Sequence, residues 1–158
     1  MKKIVVATVC AVMVLVSVSA FAESLKEIQA KAKQGDSEAQ YTLGNMYYRG
    51  EEVKQSYSEA VKWYRKAADQ KHIGAQYNLG VMYYEGRGVK NSYSEAVRWY
   101  RKAAQQGDDD SQYNLGNMYF RGEGVEQDPA EAVKWFKMAA QNGNESAQNA
   151  LKQLGETW

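Results

Sequence analysis

A short motif recurs at a constant interval along this chain of 158 residues. Its clearest copy, A-Q-Y-N-L-G, begins at Ala75, and related copies begin at Ala39, Ser111 and Ala147, so that successive starts are 36 residues apart. A fixed period in this range is typical of a stacked array, in which each unit buries its apolar face only against its neighbours. The sequence therefore predicts a helical repeat protein rather than a single globular fold.

The first half of each unit has the periodicity of an amphipathic helix. In the first copy we expect this helix to run from about Ser37 to Arg49. Leu43 and Met46 share one face at helical spacing, and Asp36 is suited to cap the N-terminus. Gly44 lies inside this helix, where glycine costs about 1 kcal/mol, which indicates a packing reason for it.

Glycines mark the connections between the helices. Gly86 and Gly88 follow the first helix of the second copy and suit a chain that leaves a helix through left-handed backbone. The first copy has Glu52 in the second of these positions, which predicts a strained or a different turn. Lys71 replaces the glycine that ends the second helix elsewhere, so we expect the junction at Lys71 and His72 to be the least well formed.

A capping residue three positions before a glutamate opens the second helix of every copy. The pairs are Ser56 and Glu59, Ser92 and Glu95, and Asp128 and Glu131. In such a capping box the first side chain accepts a hydrogen bond from a backbone N–H of the first turn, and the glutamate accepts one from the N–H of the cap. Pro129 occupies a first helical position, where its missing N–H costs nothing.

The N-terminus has the features of a secretory signal peptide. Lys2 and Lys3 precede an uncharged apolar run from Ile4 to Val18, and a small-x-small cleavage site ends at Ala22. The alternative is a retained membrane anchor, although the run is shorter than the about 20 residues of a spanning helix. Cleavage would also remove Cys10, the only cysteine, so the mature chain must fold without disulfides. We expect an exported protein, periplasmic or secreted.

The mature chain is nearly neutral. Of the 20 basic residues two lie in the leader, so that 18 remain against 19 acidic residues, a formal charge of −1. Interspersed charge of both signs favours neither nucleic acid nor an anionic membrane surface as a partner. The predicted organisation is a signal peptide over 1–22, an N-terminal capping helix over 23–36, repeats over 37–72, 73–108 and 109–144, and a C-terminal capping helix over 145–158, whose Leu151, Leu154 and Trp158 would cover the last layer.

The full pattern, A-Q-Y-x-L-G-x-M-Y-Y-x-G-x-G-V followed by E-A-V-x-W-Y-x-K-A-A, resembles the Sel-1-like repeat, a relative of the tetratricopeptide repeat. The resemblance implies an all-α, right-handed α/α superhelix that serves as a scaffold or adaptor for protein complexes, with no catalytic residue. Some exported, cysteine-rich members have been linked to β-lactam binding or hydrolysis, so a cell-envelope enzyme is the alternative. The lack of cysteine in the mature chain sets this protein apart from that branch.

A stripe of aromatic and polar residues on the first helices is the candidate binding surface. By its resemblance to tetratricopeptide repeats, this stripe would line a concave groove that holds a segment of a partner protein. The alternative is that its tyrosines only pack between successive first helices. Its second and fourth positions read Asn, Val, Asn and Arg, Glu, Arg in the three copies, and we expect specificity there. The stripe comprises Tyr41, Asn45, Tyr48, Arg49, Tyr77, Val81, Tyr84, Glu85, Tyr113, Asn117, Phe120 and Arg121.

Two other features could suggest chemistry, and each has a structural explanation. His72, the only histidine, occupies an N-cap position and has no partners at catalytic or metal-binding spacing. Asp108, Asp109 and Asp110 lack the alternation of a calcium loop and open a helix, where negative charge is favoured. We therefore expect no metal and no cofactor. A chaperone for envelope proteins would differ from a scaffold only in how many clients it holds.

Overall fold

The computed structural model describes residues 24–158, so the expected signal peptide and its cleavage site lie outside the described residues. All regular secondary structure in this range is α-helical, and none of its helices has the length and apolar character to cross a bilayer. The helices are α1 over residues 24–34, α2 Ser37–Arg49, α3 Tyr57–Asp69, α4 Ile73–Glu85, α5 Tyr93–Ala104, α6 Asp109–Arg121, α7 Pro129–Gln141 and α8 Glu145–Leu154.

The helices stack in chain order as matching hairpins. Each of the pairs α2 and α3, α4 and α5, and α6 and α7 packs closely, and each second helix also packs on the next first helix. The apolar core is accordingly a row of clusters between neighbouring layers rather than one centre. Helix α1 covers the first cluster with Ala32, while Leu25 and Ile28 pack at its margin. The prediction of an all-α helical solenoid is confirmed.

The interior glycines of the first helices allow the two helices of a hairpin to approach. A Cβ on Gly44 would lie 2.5 Å from the ring of Tyr64, and one on Gly80 would lie 2.5 Å from the ring of Tyr100. These distances are too short for real contacts, so each ring fills the space that the absent side chain leaves. The predicted packing reason is confirmed.

The turn after α2 follows the left-handed path of the later copies. Glu52 has φ 61°, close to the 70° of Gly88 and the 73° of Gly124. Of the two expectations for this turn, the strained one is confirmed. A Cβ on Gly88 would overlap the backbone carbonyl of Tyr57 in the preceding unit, which explains the glycine there.

The junction at Lys71 is better formed than expected. Lys71 N–H donates to Ala68 O at 3.0 Å and His72 N–H donates to Ala67 O at 3.1 Å, the same pattern that Gly107 and Asp108 make one unit later. The prediction of a poorly formed connection was therefore wrong as regards hydrogen bonds. The difference is confined to Lys71, which adopts a left-handed φ of 67° without being glycine.

The capping boxes form only in one direction. Ser56 and Ser92 each accept from the N–H of their glutamate at 3.3 Å, and Asp128 accepts from Glu131 N–H at 2.9 Å. The backbone N–H groups of the cap residues do not donate to the glutamate side chains. They donate instead to the backbone carbonyls of Tyr47, Tyr83 and Tyr119 at 2.9 Å, on the preceding helix. The glutamate side chains pair instead with Lys62, Arg98 and Lys134 on their own helices. The prediction that the glutamate side chain accepts a hydrogen bond from the cap N–H was therefore wrong.

The glutamine of each repeated motif joins successive layers, a role that the sequence analysis missed. Its Nε2 donates to a carbonyl at the end of the preceding second helix, and the first three of these glutamines are buried. The donor and acceptor residues are Gln40 to Ala32, Gln76 to Ala68 and Gln112 to Ala104 at 3.1 Å, and Gln148 to Ala140 at 3.2 Å. The Oε1 atoms of the first three accept from Gln70, Gln106 and Asn142 at 2.8, 2.7 and 3.1 Å.

The C-terminal helix covers the last layer with fewer apolar residues than expected. Leu151 is fully buried, but Leu154 is 41% exposed and Trp158 is 51% exposed. The expectation that all three cover the layer was wrong for the last two. The reason is that α8 ends at Leu154 with a left-handed turn at Gly155, after which Glu156 pairs with Lys137 on α7.

Candidate functional site

The predicted stripe follows α2, α4 and α6, and most of it lines two clefts between these first helices. The α2–α4 cleft has a volume of about 270 Å³, and the α4–α6 cleft has a volume of about 140 Å³. The structure places nine of the twelve predicted residues in them, but not Glu85, Tyr113 and Phe120. The α2–α4 cleft is lined by Tyr41, Asn45, Tyr48, Arg49, Tyr64, Tyr77, Asn78, Val81 and Met82, and the α4–α6 cleft by Tyr84, Tyr100, Asn114, Asn117, Met118, Arg121 and Glu123.

The first tyrosine of each copy packs against the second helix of its own hairpin. The ring of Tyr41 lies 5.9 Å from Tyr64, that of Tyr77 lies 6.1 Å from Tyr100, and that of Tyr113 lies 5.7 Å from Phe136. These separations are typical of stabilising aromatic pairs. Packing therefore explains much of the recurrence of these tyrosines, and each ring leaves only part of its surface for a ligand.

The third aromatic position differs more between the copies. Tyr48 packs on Tyr57 at 5.3 Å and Tyr84 packs on Tyr93 at 5.2 Å, both from the start of the second helix. In the third copy that neighbour is replaced by Pro129, so Phe120 loses its ring partner and is 40% exposed. Phe120 thus has an exposed apolar side chain outside the two cleft linings.

Asn45 and Asn117 occupy equivalent positions but have different surroundings. Asn45 Oδ1 accepts from the buried phenol of Tyr64 at 2.8 Å and from Asn78 Nδ2 at 3.4 Å, so it helps to hold the layers together. In the third copy Phe136 has no hydroxyl to donate, and within residues 24–158 the Asn117 side chain makes no hydrogen bond. Asn117 lies half-buried in the α4–α6 cleft with its amide available. The structure thus separates two residues that the sequence analysis treated alike.

Charged residues at the ends of the first helices form a pair in each layer. Arg49 Nη1 lies 3.6 Å from Glu51, Glu85 lies 2.8 Å from Arg87 Nε, and Arg121 Nη1 lies 3.9 Å from Glu123. The pair is therefore reversed in the middle layer. Each pair is neutral as a whole, but the sign of the charge at the helix end alternates along the face.

Four tyrosines of the clefts, Tyr64, Tyr77, Tyr84 and Tyr100, are hydrogen-bond donors rather than bases. Burial raises the pKa of the Tyr64 and Tyr100 phenols. Burial, together with Asp110 and Asp108, raises the pKa of Tyr77, and burial together with Glu123 raises the pKa of Tyr84. Because every shift is upward from an ordinary value near 10, these groups keep their protons at neutral pH.

His72 and the three consecutive aspartates have the structural roles expected of them. His72 Nδ1 accepts from Ala75 N–H at 3.2 Å as the cap of α4, and its ring stacks on Tyr41 with centroids 4.3 Å apart. Asp108 caps α6, and Asp109 and Asp110 each accept from the side chain of Asn144 at 3.1 Å.

The structure is similar to several solved proteins. A crystal structure of c5321, a protective antigen of uropathogenic Escherichia coli strains displaying an SLR fold, has 43% identity and a TM-score of 0.78, and the match covers 80% of this chain and 27% of that protein. A Sel1 repeat protein from Oxalobacter formigenes has 38% identity and a TM-score of 0.77 over 82% of this chain and 98% of that one. Helicobacter pylori cysteine rich protein B has 25% identity and a TM-score of 0.63 over 80% and 96%.

The sequences of the repeat units also match a model of a known protein family. No match was found among curated proteins. The Sel1 repeat model matches residues 37–72, 73–108 and 109–144, which is more than half of the chain. Proteins built from this repeat are generally scaffolds for protein–protein interaction. With three consecutive matches on a solenoid of matching hairpins, this chain belongs to the Sel1 repeat family.

Proposed function

We propose that this protein is an exported scaffold that holds a segment of a partner protein along the first-helix face, which would be the concave side of the solenoid. The observation that carries the proposal is the pair of clefts between α2, α4 and α6, lined by half-buried rings, amides and charged side chains. Tyrosine and arginine are the residue types that most often carry interface energy. The described clefts combine these with the amide side chains of Asn45, Asn78, Asn114 and Asn117.

The α4–α6 cleft supplies the groups best placed to contact a partner. Asn117 has a free amide, and Arg121 is 58% exposed and held only by a long ion pair with Glu123. Phe120 adds exposed apolar surface beside them. Asn45, by contrast, is engaged with Tyr64, so its removal would disturb the fold as well as the surface.

The enzyme alternative gains no support from these clefts. Burial raises the pKa of Tyr77 and Tyr84, and the arginines of the clefts form ion pairs at the helix ends. A hydrolase of the envelope would need a nucleophile with an adjacent base, and such a pair does not occur among the residues lining the two described clefts. The scaffold proposal is therefore preferred.

The test is the variant that carries Asn117→Ala and Arg121→Ala together. Crosslinking of tagged mature protein in an envelope extract, followed by quantitative mass spectrometry, should show partner capture reduced by about tenfold or more, as expected when two interface residues worth about 1 kcal/mol each are lost. Thermal unfolding should stay nearly unchanged, because the half-buried Asn117 side chain makes no hydrogen bond within the described residues and Arg121 is exposed. The matched control is Lys62→Ala with Arg98→Ala, two exposed residues on the second helices. Undiminished capture by the first variant would refute the assignment of this face.

A further inference from the structure

Charge at the C-terminal ends of the first helices alternates in sign from layer to layer. Arg49 ends α2, Glu85 ends α4 and Arg121 ends α6, so the face presents a positive, a negative and a positive group in order. In the repeat these positions are equivalent, each 36 residues from the next. The alternation is therefore a difference between otherwise matching layers.

In the second and third ion pairs, the loop member is tethered or covered. Arg87 donates to the Tyr48 hydroxyl and lies over the rings of Tyr48 and Tyr57 at 5.9 and 5.8 Å, so it is fixed between layers. Glu123 is 25% exposed, whereas its partner Arg121 is 58% exposed. In the first layer Arg49 and Glu51 are almost equally exposed, at 62% and 59%. In the second layer Arg87 is 42% exposed and Glu85 is 37% exposed, but Arg87 is tethered to Tyr48. In the helix-end row each of the three members is more than a third exposed and has no partner besides its ion pair in the described part of the chain, so we take this row as the one that a ligand meets.

The spacing of the layers fits the spacing of side chains in an extended chain. Packed helices lie about 10 Å apart, and contacts such as Asn78 to Asn45 show that successive first helices touch across the α2–α4 cleft. An extended peptide advances about 3.3 Å per residue, so it covers one layer in about three residues. A peptide lying across the helices would therefore meet the three charges at every third residue.

We propose that the first-helix face recognises an extended peptide segment with an acidic residue, a basic residue and an acidic residue at every third position, paired with Arg49, Glu85 and Arg121. This inference rests on the proposed function and specifies the chemistry of the partner. The existing ion pairs do not oppose it, because exposed pairs of this kind contribute little and exchange readily with a ligand. Specificity comes from the charge order, since a like charge at any layer is repelled.

The test uses three synthetic peptides and one variant of the mature protein. The first peptide has the pattern acidic-x-x-basic-x-x-acidic, where x is an uncharged residue. The second has the same composition in scrambled order, and the third has the pattern acidic-x-x-acidic-x-x-acidic. The variant carries Glu85→Arg with Arg87→Glu, so that the middle layer has an arginine at the helix end and a glutamate in the loop. The outer layers already have this arrangement, as Arg49 with Glu51 and Arg121 with Glu123. Because both neighbouring layers tolerate that order, the variant is expected to fold, and thermal unfolding monitored by circular dichroism checks this.

Fluorescence anisotropy at low salt should show the wild type binding the alternating peptide about threefold to tenfold more tightly than the other two. The variant should prefer the all-acidic peptide by a similar factor, and both preferences should shrink at high salt. Equal binding of all three peptides by both proteins would overturn the charge register while leaving the proposed function intact. Binding of none of them would also overturn the register, and the capture experiment above would then decide the proposed function separately.

Discussion

At the scale of single residues, left-handed backbone is the clearest source of strain in this chain. Lys71 and Glu52 adopt φ of 67° and 61°, in positions that glycine fills in the other copies. A side chain with a Cβ pays roughly 1–2 kcal/mol in this region. Gly107 and Gly143 occupy the positions equivalent to Lys71, and a Cβ on either would meet no atom within 4 Å. The cost at Lys71 is therefore conformational and not steric.

We predict that Lys71→Gly raises the free energy of unfolding by about 1 kcal/mol, since it removes the left-handed strain and loses no close contact. Urea denaturation measures this. The contrasting change is Gly88→Ala, whose Cβ would overlap the carbonyl of Tyr57 and should cost about 2 kcal/mol or more. A destabilised Lys71→Gly variant would show that the lysine has a contact that offsets its strain.

At the scale of helices, the glutamine of each motif is the link between layers. Gln76 is 2% exposed, donates to Ala68 O at 3.1 Å and accepts from Gln106 at 2.7 Å. A buried polar group without partners costs about 1–3 kcal/mol, so both bonds of this amide matter. Gln148 makes the same donor bond to Ala140 but is only partly buried.

We predict that Gln76→Ala lowers the free energy of unfolding by about 2 kcal/mol, because it removes two hydrogen bonds between layers that contribute about 1 kcal/mol each. Ala68 O then keeps only its bond from Lys71 N–H, and Gln106 Nε2 keeps only its bond to Lys102 O. Gln148→Ala should cost less than half as much, since water reaches its surroundings. Chemical denaturation of the two variants side by side measures the difference. Equal losses would mean that the buried amide contributes only its packing volume.

Local features of these helices could be predicted from the sequence, and contacts between distant residues could not. Asp36 as a cap, Pro129 as a first helical residue and the bounds of α2 follow from signals within a few residues. The partner of Gln40 is eight residues away and that of Gln70 is 30 residues away, so no local rule gives them. The recurrence of a polar residue inside an apolar stripe was the available signal.

The candidate site shows the same division. The period of the repeat was enough to align the stripe, because equivalent residues of stacked units must lie side by side. The period could not show that Asn45 accepts a hydrogen bond from Tyr64 whereas Asn117 makes none within the described residues. This difference arises in another helix, where Phe136 replaces the tyrosine and has no hydroxyl to donate. Exposure of Phe120 likewise depends on Pro129 in the next element.

At the scale of the whole molecule, stability is a chain of contacts between neighbours. Each layer packs on the one before and the one after, so the two ends have a single neighbour each. At the C-terminal end Ala147 and Leu151 of α8 join the buried cluster with Phe136, while Leu154 and Trp158 stay exposed.

We predict that Leu151→Ala lowers stability by about 2–5 kcal/mol, as expected for a cavity at a fully buried leucine. Hydrogen exchange should show the loss concentrated in α7 and α8, with α2 and α3 keeping their protection. Trp158→Ser should change stability by less than about 0.5 kcal/mol. A uniform loss of protection along the array would contradict the nearest-neighbour description.

The amide link between layers also makes the units interchangeable. Gln112 meets Ala104 with the same geometry, 3.1 Å, that Gln76 shows with Ala68. A gene that lost the segment 73–108 would therefore bring Gln112 to Ala68 without a mismatched junction, and a duplicated segment would fit as well. Proteins of this kind can thus lengthen or shorten by whole modules during evolution, and the charge order along the face can be rewritten each time.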